Sequence, residues 1–186
     1  MSAPIAFTVY GAPAAAGSKR GFYNRKAGRV IITDASDKAR PWKALVSDAA
    51  IEAITQHDWF VEGRLLDGPL LLDLTFWVPR PKGHYGSGAN AGKVRGSAPR
   101  HPAVKPDLLK LARAVEDALS GIVYRDDAQI VVEILQKAYG EPARCEVRVV
   151  PVVQDTVETQ HRSLREASES ATPAQIPLTA LERGAA

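Results

Sequence analysis

The chain has 186 residues, 45% of them hydrophobic and 24% charged, and a formal net charge of +3. That length suits one domain with a sizeable core, and no apolar run approaches the roughly 20 residues of a membrane-spanning helix. A lone cysteine, Cys145, excludes an internal disulfide and a cysteine-rich zinc site, and the N-terminus lacks the basic and long apolar regions of a signal peptide. The expectation is a cytoplasmic protein with no membrane partner.

Charge is distributed unevenly. Residues 155–186 carry five acids and three bases, a balance of −2, which leaves +5 for the first 154 residues. Residues 17–29, GSKRGFYNRKAGR, hold five cations and no acid, and residues 80–113 hold eight cations and one acid, Asp107. Such clusters set up a local positive field suited to phosphates, although solvated loops would carry the same pattern.

In chain order, IAFTVYGAP alternates and is rich in β-formers, which predicts a strand over residues 5–10 ended by Gly11 and Pro13. The Ala/Gly/Lys/Arg stretch that follows reads as a loop or a hairpin, and a short strand is predicted at residues 30–33. Asp34 or Ser36 would cap a helix over about residues 38–56, with Pro41 in its first turn and Trp42, Leu45, Val46, Ala49 and Ala53 at helical spacing. LLLDLTFWV predicts a strand at residues 70–78. Residues 79–106 hold five prolines and five glycines without periodicity, a long loop of the kind found where function or disorder requires it. A second helix is predicted to residue 119, then strands over about residues 129–138 and 145–153. Residues 1–154 form the predicted domain, and residues 155–186, rich in Ser, Glu, Ala and Thr, read as a disordered tail. The order β-β-α-β-α-β-β predicts an α+β fold, a mixed β-sheet with two helices packed on one face.

On the second helix, Leu108, Leu111, Ala112, Val115 and Leu119 form an apolar stripe, while Asp107, Lys110, Arg113 and Asp117 share the polar face. Asp107 suits a helix N-terminus, and Asp126-Asp127 suits a turn. Together they also suit a hard divalent ion, which takes oxygen ligands and keeps several waters. That use requires the helix N-terminus to lie beside the start of the next strand. Asp117 is about 15 Å along the helix from Asp107, too far to share an ion. The four histidines are scattered, none paired at metal-ligand spacing. Trp77 could pack or stack on a base, and Cys145 reads as core.

The segment KPDLLKLARAVEDALSGIVYRDDAQIV, with Lys137 and Tyr139 beyond it, resembles the signature of the RusA Holliday junction resolvases. That signature runs roughly K-P-D-x-D-N-x-x-K-x-x-x-D-A-L-x-G, then D-D-x-Q-[IV] and a later K-x-Y. The stretches YGAP, GSKRGFY and ITD and a Trp-Lys pair in the first helix are similar to the family's opening, so the resemblance spans about residues 5–150. It implies a small α+β homodimer that cuts four-way DNA junctions with Mg²⁺ or Mn²⁺. It also implies metal ligation by Asp107, Asp126 and Asp127, with Asp117 supporting them. The sequence departs from the signature at Leu109, where a second aspartate stands, at Lys110 in place of Asn, and at Arg113 in place of the lysine. Arg113 or Lys110 would stabilise developing charge, Arg113 without giving up a proton.

Lys19, Arg20, Arg25, Lys26, Arg80, Lys82, Lys93, Arg95, Arg100, Lys105 and Lys137 are the expected contacts to DNA phosphates. The alternative reading, which Leu109 permits, is a junction-binding protein with weakened or lost catalysis.

Overall fold

Alternation along three strands assembles one apolar face. The computed structural model describes residues 4–17, 19–34, 38–56 and 65–152, so Ser36, His57, His161 and the tail lie outside the described residues. Strands β1 (Ile5–Tyr10), β4 (Leu70–Val78), β5 (Ile130–Tyr139) and β6 (Arg144–Pro151) form a sheet in the order β1-β6-β4-β5. The β1–β6 and β6–β4 pairs are antiparallel, and β4–β5 is parallel. Register aligns Phe7, Val147, Leu74 and Leu135 across the whole sheet. Ile5, Val149 and Leu72 make the row on one side, and Val9, Cys145 and Phe76 the row on the other; all six are buried. These rows end on the edge strand β5 in charged residues, Glu133 and Lys137 respectively.

Two helices cover that face, α1 (Ala39–Thr55) and α2 (Leu108–Leu119). Trp42, Val46, Ala50 and Ile54 form the buried stripe of α1, and Leu111, Ala112, Ala114, Val115, Ala118 and Leu119 that of α2. The small alanines let the helices approach closely enough for Ser47 Oγ to donate to the Ala118 carbonyl at 3.1 Å. The expected α+β architecture is therefore present, with element ends shifted by a residue or two.

One local expectation resolves as the second of its two alternatives, and one resolves differently. The basic stretch after β1 is a hairpin of β2 (Lys19–Asn24) and β3 (Arg29–Asp34), forming a separate two-stranded sheet. Asn24 Oδ1 accepts from the Lys26 and Ala27 amides and shapes its turn. Asp34 is the last residue of β3, and the cap position of α1 falls on Lys38 without a side-chain bond.

Gly140 follows β5 where the chain passes against Trp77, itself covered by the Arg144 guanidinium 4.6 Å from its ring centroid. A Cβ at Gly140 would lie 2.5 Å from Trp77 Cε3. Gly140→Ala is expected to destabilise the fold by about 1–3 kcal/mol, because the indole must leave a packed position. Urea titration should show a lower midpoint at unchanged slope; an unchanged midpoint would refute the packing account.

Candidate active site and nucleic-acid interface

Parallel pairing of β4 and β5 determines where the polar residues of α2 lie. The chain leaves β4 at one end of the sheet and must enter β5 at the other, so the crossover helix runs antiparallel to both strands. The N-terminus of α2 lies near the end of β5, where Lys137 Nζ donates to the carbonyls of Val104 and Pro106, each at 2.8 Å. The last turns of α2 lie near the start of β5, where Glu116, Asp127 and Glu133 line a common cleft of about 480 Å³.

The N-terminal pole carries Asp107. It occupies the cap position of α2 with extended backbone, and its carboxylate caps nothing. Its Oδ2 lies 3.3 Å from Lys110 Nζ, with both side chains about half exposed. Arg113 is exposed, and Leu109 is 71% exposed.

Residues 79–106 border this pole and are an ordered loop. Short 3₁₀ turns at Lys82–His84 and Gly88–Asn90 and a bridge between Tyr85 and Val94 build it. Lys82, Lys93, Arg95, Arg100 and Lys105 are exposed, as are Arg25 and Lys26 in the hairpin turn. Lys19 and Arg20 belong to β2. Arg80 and Lys137 differ from the other cations. The Arg80 guanidinium lies 4.1 Å over the Tyr139 ring and donates to the Pro99 carbonyl at 2.7 Å, so it organises the loop. Lys137 is equally engaged, holding the segment that presents Asp107.

The second pole divides Asp126 from Asp127. Asp126 Oδ1 accepts from the Ala128 amide at 2.9 Å and caps the 3₁₀ turn Asp127–Gln129. Gln129 completes the capping box: its Oε1 accepts from the Arg125 and Asp126 amides, and its Nε2 donates to the carbonyls of Leu66 and Gly68. Asp126 thus punctuates the chain and lines a different cleft, with Asp67. Asp127 sits with Glu116 and Glu133. Burial, then a hydrogen bond and like charge from Glu133, then the charges of Asp127 and Asp117, push the Glu116 carboxyl up to about 8. Asp117 is ion-paired to Lys43 of α1 at 2.6 Å, a link between the helices.

The sequence expectation of one cluster from Asp107, Asp126 and Asp127 therefore needs correction within a single chain. Nine residues of helix separate Asp107 from Glu116, about 14 Å of rise, and Asp127 lies at the Glu116 end. Among the described residues no group of three or more His, Cys, Asp or Glu is placed to hold a metal ion. Sequence reasoning left out Glu133, and the alternation of β5 was the available signal, since Glu133, Leu135 and Lys137 share the helix-facing side.

An α+β chain that presents a helix-terminal carboxylate among exposed cations has the makings of a phosphodiester-cleaving enzyme. Residues 13–150 match the family described as endodeoxyribonuclease RusA, and the chain belongs to that family. It is also similar to a Bacillus subtilis (strain 168) protein described as uncharacterized protein YqaN. The two are 33% identical over 148 residues, which is 78% of this chain and 94% of that protein. Among the described residues no helix is long and apolar enough to cross a membrane.

The raised Glu116 pKa gives a pH dependence with a definite sign. The folded protein holds a proton that the unfolded chain releases near 4.5, so this contribution is fully present below that value and is lost as pH rises through about 8. Glu116→Gln keeps the neutral form and should gain stability relative to wild type as pH rises through that window. Urea midpoints at pH about 5 and about 9 report it. A wild-type-minus-variant difference that does not change with pH would show that no proton is held there.

Proposed function

We propose that the protein is a structure-selective DNA endonuclease that resolves four-way junctions as a homodimer, using Mg²⁺ or Mn²⁺. The observation that carries this reading is the N-terminal pole of α2. There an exposed Asp107, not used as a cap, stands beside Lys110 and is bordered by a loop whose exposed cations suit a phosphate backbone.

The donor chemistry fits a hard divalent ion, since Asp107 and Asp127 offer carboxylate oxygens. The ion would neutralise charge on the phosphate. Separation of these aspartates along α2 supports a centre in which Asp107 of one copy meets Asp127 of the other. Asp126, occupied as a cap, would act from behind. Lys110 and Arg113 lie on the exposed face of α2, where they would stabilise negative charge at the phosphorus, with Arg113 remaining protonated throughout. Lys137 positions Asp107 through the carbonyls that precede it. Lys82, Lys93, Arg95, Arg100 and Lys105, with the hairpin cations, would hold the arms.

Wild-type protein should make paired, Mg²⁺-dependent nicks in a labelled junction and leave a matched duplex intact. Asp107→Asn and Asp127→Asn should each abolish cutting. An equimolar mixture should recover single nicks, because each mixed dimer then holds one intact shared centre. If the mixture stays as inactive as either variant while wild type cuts, the shared centre is wrong.

A second reading, a junction-binding protein that no longer cuts, is favoured by the exposure of Leu109, which leaves the RusA-type second carboxylate without an equivalent on that face. Under it, wild type binds junctions without cutting, and Leu109→Asp gains Mg²⁺-dependent cleavage of at least about tenfold over background, about 1.4 kcal/mol of barrier. No gain in the variant would count against decayed catalysis.

A further inference from the structure

The pole that carries Asp107 also contains an apolar cleft of about 550 Å³, within the roughly 300–1,000 Å³ of small-ligand sites. Its walls are the connector after β1, with Pro13 and Ala14, the first turns of α1, with Pro41, Trp42 and Leu45, and Pro106, which immediately precedes Asp107. The connector is fixed at both ends. Gly11 turns it at φ +134, where a Cβ would lie 3.3 Å from Leu45 Cδ1, and the Ala16 amide donates to the Lys110 carbonyl at 2.8 Å. Leu45 is 46% exposed, and the Trp42 indole is buried with its Nε1–H lacking a partner among the described residues.

An occupant must present a flat apolar face to the proline rings and the Trp42 and Leu45 side chains that line the cleft. It must also be joined to negative charge that meets Lys38 on the cleft wall and Lys105 and Lys110 beside it, all three exposed. A nucleotide has both properties, and the cleft adjoins the proposed phosphate-cleaving site through Pro106, the residue before Asp107. In a linear duplex each base is stacked and paired, and taking one out forfeits both interactions. At a branch point some bases are already released from one neighbour.

We infer that this cleft receives an unpaired base from the branch point of the DNA, and so supplies the preference for branched over linear substrate. The inference rests on the nuclease reading and gives its site a means of discrimination that the phosphate contacts lack, because phosphates look alike in every arm. Leu45 is the specificity-determining residue, since it can be changed at the surface without opening the core.

The test uses full-length protein without divalent metal and a four-way junction carrying 2-aminopurine at the branch point. Controls are the same junction with the analogue in mid-arm and a linear duplex. Wild type should bind the junction in preference to the duplex and change the emission of the branch-point analogue only. Leu45→Glu should lose about tenfold of the junction-over-duplex preference, as expected for one stacked base, together with the emission change. Leu45→Met should retain both.

Preferential junction binding by wild type with Leu45→Glu unaltered in preference and emission would overturn the base-receiving role and leave the nuclease reading standing. Absence of any junction preference in wild type would overturn both. Circular dichroism of Leu45→Glu checks its fold, and if that variant is unfolded, the position-specific emission change in wild type and Leu45→Met decides the matter.

Discussion

Parallel pairing of β4 with β5 obliges the chain to travel the length of the sheet between them, and α2 is that return path. Its direction is consequently fixed, and so are the ends at which its first and last polar residues lie. Everything polar near α2 sorts accordingly: Asp107, Lys110 and the basic loop at one end, Glu116, Asp127 and Glu133 at the other. The apolar rows of the sheet provide the same two positions, because the two rows flanking Leu135 end on β5 in Lys137 and Glu133.

Lys137 lies at a position that helix electrostatics disfavours, since a cation near a helix N-terminus opposes the macrodipole. Two charge-assisted hydrogen bonds to the Val104 and Pro106 carbonyls offset this, and the Asp107 carboxylate restores the favourable sign at the terminus. The outcome is a carboxylate held in place from beneath and left open above. Glu116 shows the opposite case: burial and the neighbouring carboxylate of Glu133 are accommodated by keeping a proton on Glu116.

Much of this was legible in the sequence. Alternation located β1 and β6, an apolar run bounded by turn residues located β4, and the helical stripe of α2 was correct because Leu111, Val115 and Leu119 meet a continuous apolar face. The α+β class followed from the order of the elements. The convergence of the aspartates was misread for a topological reason: a helix N-terminus adjoins the end of the preceding strand in a crossover unit, not the start of the next one. Asp126 and Asp127 were indistinguishable as residue types, and only the capping box with Gln129 separates them. Arg80 and Lys137 were counted with the free cations because charge alone does not reveal a carbonyl or an aromatic ring folded against it. The apolar cleft beside Asp107 was invisible for a similar reason, being built from three distant segments that register nowhere as a motif.

Segregation of charge along α2 has a consequence for motion as well as for chemistry. Among the described residues, an excess of cations at one end of α2 and of carboxylates at the other gives a dipole moment, and a polyanion exerts a torque on it before any surfaces touch. On the proposed nuclease reading, the protein should therefore approach DNA already turned, basic loop foremost and acidic cleft trailing. Fewer collisions are wasted on wrong orientations, and salt slows the encounter by shortening the distance over which that torque acts.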